Sequence, residues 1–249
     1  MIPALAIAVI PALVLPPLLL PFGIPALFAV LPVLPLGYVY VRAIAAKKPA
    51  RAAGLALAWA VALTVSTVAT AAHSPQLVPS GIWHAAAYRD EMLRWIATGV
   101  GAEGDIAQFL PRVLAEFAIL LVLAAVSAGA LGLLLGSVLL GYMNGYAGWV
   151  VANADPHVNP LFAAFIAWPP WPMARVVSFI LAGTAAASWG HARFLDRRGD
   201  RPGVRPLFVG SLVLLGADIL LKVTLAPEWR MFLRALLGSS AGIDAGVNG

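Results

Sequence analysis

The stretch FAILLVLAAVSAGALGLLLGSVLLGYMNGYAGWVVANA, residues 117–154, decides the fold, because it contains no Asp, Glu, Lys or Arg. A helix needs about 20 predominantly apolar residues to cross a bilayer, so the stretch is long enough for two crossings. Small residues near its middle, at 127–132, predict a tight turn between the two spans. Backbone polar groups inside lipid must be hydrogen-bonded within their own segment, so we expect both spans to be helices.

The chain as a whole has the same character. Hydrophobic residues make up 61% of all its residues, charged residues only 11%, and the mean hydropathy is +0.91. A soluble domain is about a quarter charged, so this composition excludes a soluble globular protein. The chain has no cysteine, which excludes disulfides, iron–sulfur clusters and thiolate zinc sites.

Further predominantly apolar runs predict spans at 54–72, 174–192 and 206–226, and the first of these has no charged residue. The N-terminal part, residues 1–53, is rich in proline, and its apolar portion could cross twice, at 2–20 and 24–41. Interior prolines remove a helix hydrogen bond, so one tilted, broken helix or a re-entrant segment is the alternative there. The sequence thus predicts an all-α polytopic transmembrane helix bundle of six or seven spans, forming a single domain.

Two basic loops, residues 42–51 and 193–205, predict the orientation. Basic loops face the cytoplasm, so we expect both on that side of a bacterial cytoplasmic (inner) membrane. The net charge of +5 then reports orientation, and nucleic-acid binding is not expected.

Two amphipathic helices are predicted at the opposite membrane surface. The extracytoplasmic stretch 73–112 carries an apolar face with helical spacing, which would place Trp95 at the level of the lipid headgroups. The C-terminal segment 227–249 begins with Pro227 and predicts a second interfacial helix followed by a polar tail. The residues of the two faces are Tyr88, Met92, Trp95 and Ile96, and then Trp229, Phe232, Leu233 and Leu236.

Asp218 and Lys222 are the most informative charged residues, because they lie inside a predicted span, one helical turn apart on one face. Ionisable residues inside a membrane are expensive and indicate a functional site. At this spacing each is the obvious partner of the other, which predicts a self-neutralised ion pair. The alternatives are a proton or ion relay, or a docking pair for another helix.

A second group of polar residues is predicted at the outer end of the bundle, where it would form either a shallow vestibule or a capped helix end. Its main members are Tyr142, Asn144, Asp155 and His157. Asp155 and His157 have a spacing found in some metal sites, but no further ligand follows, so no metal site is assigned. Gly132 and Gly136 repeat at a spacing that favours close helix packing or, alternatively, a glycine-lined path.

No hydrolase or nucleotide-binding motif is present, so no catalytic residue or cofactor is assigned, and an enzyme is less favoured than a non-enzymatic protein. The first hypothesis is a permease, a channel-like protein or a permease subunit, with Asp218, Lys222 or the outer polar group as working residues. The alternative is a structural or assembly subunit of a larger membrane complex. Its expected contacts are the bilayer and either a second copy of the chain or partner membrane subunits.

Overall fold

A computed structural model describes residues 2–194 and 203–238 of the chain, and this part is helical with no strand. The long helices are α1 (Ile2–Leu19), α4 (Pro49–His73), α7 (Ile106–Val126), α8 (Ala130–Asn153), α10 (Pro170–Phe194) and α11 (Arg205–Leu237). The shorter ones are α2 (Pro25–Val30), α3 (Val33–Ala45), α5 (Val78–Gly81), α6 (Ala85–Thr98) and α9 (Pro160–Ala167). Most of the predicted loop 193–205 and of the predicted C-terminal tail lies outside the described residues.

Seven segments of the described chain are long and apolar enough to cross a membrane, so the predicted multi-pass helix bundle is confirmed. Two of them, Ile2–Phe22 and Pro25–Ala45, come from the proline-rich N-terminus. The others are Pro49–His73, Ile106–Val126, Ala130–Asn153, Pro170–Phe194 and Arg205–Leu237. The upper of the two predicted numbers, seven, is therefore the number that the structure supports.

Neighbouring side chains compensate for the prolines of the first two spans. Pro17 has no N–H to offer the carbonyl of Leu13, four residues earlier, and the Ser66 hydroxyl donates to that carbonyl at 2.6 Å instead. The second span breaks at residues 31–32, and there the Trp59 indole donates to the Pro32 carbonyl at 3.0 Å. Both donors lie on α4, so α4 stabilises both irregular segments within the membrane.

The turn between α7 and α8 falls at residues 127–129, inside the predicted segment 127–132. Ala128 and Gly129 have φ of 51° and 99°, which lets the chain reverse within three residues. An added Cβ on Gly129 would clash with the Tyr40 ring of α3 and would lie 3.2 Å from Ala187 of α10. The turn therefore lies with the α3–α4 loop and the end of α10, and we call this end of the bundle the basic end.

The opposite end, which we call the cap end, is covered by α5, α6 and α9. The predicted apolar face of α6 exists, but Met92, Trp95 and Ile96 pack against α8, α9 and α11. Trp95 is only 1% exposed, so its predicted place among the lipid headgroups is wrong. The helical period correctly identified the buried face, but it could not distinguish burial in lipid from burial in protein.

The predicted break at Pro227 is also absent, because α11 continues through it to Leu237. At 1.5 Å per residue, 33 residues extend roughly 50 Å, well beyond a hydrocarbon core of about 30 Å. The last turns of α11 are anchored to the cap end rather than to lipid. Arg230 donates to the carbonyls of Ile96 and Ala97 at 2.9 and 3.1 Å, and Trp229 donates to the carbonyl of Ile166 at 2.7 Å.

Candidate functional site

Four charged side chains meet where α10 and α11 approach the cap end, and we call them the charge cluster: Glu103, Arg175, Asp218 and Lys222. Arg175 donates from Nε and Nη2 to the two carboxylate oxygens of Asp218, at 2.9 and 3.1 Å. Lys222 donates to Oε1 of Glu103 at 2.9 Å. Asp218 is 0% and Lys222 2% exposed, so these ions depend on their protein partners rather than on water.

The partners differ from those predicted. Asp218 and Lys222 do lie one turn apart on α11, but each pairs with a residue of another element. A planar guanidinium can make two parallel bonds to a carboxylate, which an ammonium group cannot. Arg175 on α10 therefore provides the better partner for Asp218, and Lys222 is left to bind Glu103. Lys222 also lies over the Phe109 ring, with Nζ 4.4 Å from its centroid.

Glu103 reaches the cluster from a tight turn between α6 and α7. Gly99 and Gly101 have φ of 77° and 146°, and Gly104 packs against Trp95 with no room for a side chain. Glu103 also accepts a hydrogen bond from the Trp171 indole at 3.0 Å. Burial alone would raise the pKa of Glu103, but attraction to Lys222 and Arg175 outweighs it, and the pKa is lowered. The Glu103 carboxylate is therefore ionised at neutral pH.

Neither Glu103 nor Arg175 was predicted as a site residue. Two signals were available. Glu103 is flanked by glycines at 101 and 104, as expected for a side chain held by a constrained turn. Arg175 is the only Asp, Glu, Lys or Arg between Asp155 and Arg193, so it lies within an otherwise charge-free run.

A second, more exposed ion group lies beside the charge cluster. Arg112 contacts Glu91 at 3.2 Å and Glu116, one helical turn further along α7, at 3.3 Å. Arg112 is 47% exposed, so these pairs contribute little to stability. Arg112 and Glu116 also line an internal cavity.

This cavity, which we call the upper cavity, has a volume of about 30 Å³ and lies between the two ion groups. Tyr88 and Tyr142 form part of its wall, with ring centroids 4.8 Å apart. Burial, followed by the nearby Glu103 carboxylate, raises the pKa of Tyr88, so its phenol stays protonated. The other polar wall residues are Glu103, Arg112, Glu116, Arg175 and Lys222.

A second cavity of about 70 Å³, the lower cavity, continues toward the basic end between α3, α4, α7, α8 and α10. Its wall is mainly apolar and aromatic, with four glycines. An added Cβ on Gly136 would meet no atom of the described residues within 4 Å, so this glycine faces open space. Four residues line both cavities and therefore lie between them: Glu116, Tyr142, Met143 and Arg175.

Tyr40 closes the lower cavity at the basic end. Its ring packs directly on Gly129, and its hydroxyl donates to Oγ1 of Thr184 at 3.0 Å. Gly183, the neighbour of Thr184, lines the same cavity. The side chain is thus held by the α7–α8 turn and by α10 at the basic end of the cavity.

The structure separates the predicted outer polar group. Tyr142 lines both cavities, whereas Asn144 is fully buried and its amide has no hydrogen-bond partner among the described residues. Asn144 lies one turn before Gly148, which packs directly against Ala71 of α4. Asp155 and His157 are exposed, and Asp155 accepts the backbone N–H of His157 at 2.8 Å in a local turn. Asp155 and His157 lie in the connection between α8 and α9 and line neither cavity.

The charged side chains that line the upper cavity are therefore paired with opposite charges, and the lower cavity beside it is mainly apolar. Within residues 2–194 and 203–238, no group of three or more His, Asp or Glu side chains could hold a metal ion. Comparison with protein-family models, curated proteins and solved structures finds no match for this chain.

Proposed function

We propose that this protein is a permease that moves a small solute through its helix bundle, with the basic end on the cytoplasmic side of a bacterial inner membrane. One observation carries the proposal: two internal cavities lie in series between the cap end and the basic end and share four wall residues. A bundle that served only as a scaffold would gain stability by filling this space, because empty volume loses packing energy.

The middle of the path and its basic end differ in a way that suits alternating closure. At its middle, Arg175 is held by Asp218, and this pair fixes the wall residue between the two cavities. At the basic end, Tyr40 packs on Gly129 and makes one hydroxyl bond, with no ion pair to hold it among the described residues. Of the predicted working residues, Lys222 and Tyr142 line this path, and Asp218 binds its wall residue Arg175. Asn144, Asp155 and His157 line neither cavity.

Gly136→Leu is the variant that tests the proposal, because it fills the lower cavity from an open wall position. Gly216→Leu is the matched control: Gly216 is an exposed residue of α11, and its added Cβ also meets no described atom within 4 Å. Purified proteins would be reconstituted in liposomes loaded with a mixture of small charged and uncharged solutes, and efflux would be followed by mass spectrometry.

We expect at least one solute to leave faster with the unsubstituted protein and with Gly216→Leu than with Gly136→Leu or with protein-free liposomes. Equal efflux from all four preparations would overturn the permease proposal. Thermal unfolding of each variant in detergent would show that Gly136→Leu is folded.

The alternative, a structural or assembly subunit, is favoured by a different feature. A lateral groove of about 720 Å³ runs along the bundle between α4 and the α9–α10 region, and its walls are almost wholly apolar. Such a groove could receive a helix of a second copy or of a partner subunit, since helices in membranes associate by close packing. Native mass spectrometry from lipid nanodiscs tests this: oligomers that Ala69→Trp dissociates would support a subunit role, and a monomer would not.

A further inference from the structure

We infer that the solute is uncharged and consists of only a few non-hydrogen atoms. This inference rests on the permease proposal, and it names the class of substrate. It follows from the size of the lower cavity, from the chemistry of its wall, and from the pairing of every charged group that lines the path.

The size of the lower cavity limits the solute. A water molecule needs roughly 10–15 Å³ of cavity volume, so the 70 Å³ of the lower cavity has room for roughly five to seven water-sized groups. By the same volume per group, the upper cavity of about 30 Å³ has room for roughly two or three water-sized groups. A lipid or a hexose would not fit in either cavity without a large rearrangement of five packed helices.

The wall of the lower cavity excludes ions. Arg175 and Glu116 lie where it meets the upper cavity, and the remaining wall residues are neutral side chains down to Tyr40. An ion there would lose its water and gain no opposite charge in return, which is strongly unfavourable. An uncharged solute loses only those hydrogen bonds to water that the cavity wall does not replace.

The charged residues above do not provide a site for an ion either. Each charged side chain that lines the two cavities already has an opposite partner: Arg175 with Asp218, Lys222 with Glu103, and Arg112 with Glu91 and Glu116. A free anion or cation would meet charges that an opposite partner already neutralises, so it would gain little attraction in return for the water that it loses.

The same residues can bind a neutral polar solute without breaking a pair. The bond to Asp218 uses the Nε and Nη2 groups of Arg175, and a guanidinium has five N–H donors in all. A hydroxyl or carbonyl oxygen of the solute could accept from the remaining donors, and a hydroxyl or amide hydrogen could be donated to Glu116. The upper cavity would thus select small alcohols, amides or similar neutral molecules.

Stopped-flow light scattering of proteoliposomes tests this inference. The neutral probes are urea and glycerol, sorbitol is the oversized neutral probe, and potassium, chloride and formate are the charged probes. We expect urea or glycerol to enter several-fold faster than in protein-free liposomes, sorbitol and the ions to enter at the protein-free rate, and Gly136→Leu, but not Gly216→Leu, to remove the difference.

The outcomes separate the two proposals. Flux of an ion that Gly136→Leu abolishes would overturn the inference of an uncharged solute and leave the permease proposal standing. Flux of sorbitol that Gly136→Leu abolishes would overturn the size limit in the same way. If none of the neutral or charged probes crosses faster than in protein-free liposomes, the inference is overturned, and the broader efflux mixture decides the permease proposal independently.

Discussion

Arg175 on α10 holds Asp218 on α11 through two parallel hydrogen bonds of 2.9 and 3.1 Å, in a place where Asp218 has no exposure to solvent. The pair joins two spanning helices and at the same time fixes the wall between the two cavities. A buried ion pair adds little net stability by itself, but the loss of one partner leaves an uncompensated charge. Replacing one partner should therefore lower the free energy of unfolding strongly, whereas replacing both should lower it only slightly.

We predict that Arg175→Met and Asp218→Asn each lower the free energy of unfolding by about 3–5 kcal/mol, because each leaves one group of the pair buried and unpaired. The double variant should lower the free energy of unfolding by much less than the sum of the two single effects. Tryptophan fluorescence during unfolding in detergent measures the three values. Asp90→Asn is the control, since Asp90 is 58% exposed where it pairs with Arg89 and should change stability by less than about 0.5 kcal/mol. Strictly additive costs for Arg175 and Asp218 would contradict the coupling.

Glu103 predicts a dependence of stability on acid pH. Its pKa in the folded protein is lowered from the usual 4.5, so the ionised form is favoured by folding. Its contribution to stability is fully present above pH 4.5 and is lost as the pH falls through the folded-state value.

The measurement compares unfolding temperatures of the unsubstituted protein and Glu103→Gln across this range. At neutral pH Glu103→Gln should be clearly less stable, because it leaves Lys222 without its carboxylate. The difference should shrink as the pH drops below 4.5, since protonation then removes the same charge from the unsubstituted protein. A difference that stays constant down to strongly acid pH would show that Glu103 contributes no ion pair.

The spans and the site were predictable to different degrees for a physical reason. Transfer into lipid depends on the local run of side chains, so charge-free stretches such as 117–154 predict spans from sequence alone. The partner of a buried ion depends on what the fold brings beside it. Lys222 binds a residue 119 positions away, and Asp218 binds one 43 positions away. Local spacing predicted the nearest partner, and the fold provided better ones.

The α7–α8 turn provides a matched pair of glycine substitutions. Gly129→Ala should destabilise the protein by roughly 1–3 kcal/mol, because its φ of 99° strains any other residue and its Cβ would clash with the Tyr40 ring. Gly54→Ala on α4 should be neutral or stabilise by up to about 1 kcal/mol, since it is helical and its Cβ meets no described atom within 4 Å. Thermal unfolding of both variants measures the contrast, and equal effects would contradict the tight Gly129–Tyr40 contact.

The proposed orientation can be tested directly because the chain contains no cysteine. We predict that a membrane-impermeant maleimide labels His157→Cys in intact bacterial spheroplasts, but labels Lys48→Cys only after the membrane is permeabilised. Both side chains are exposed, His157 at the cap end and Lys48 in the loop at the basic end, so access to reagent depends on the side of the membrane. The unsubstituted protein gives the background. The reverse labelling pattern would place the basic end outside, against the positive-inside rule, and would reverse the direction in which the upper cavity opens.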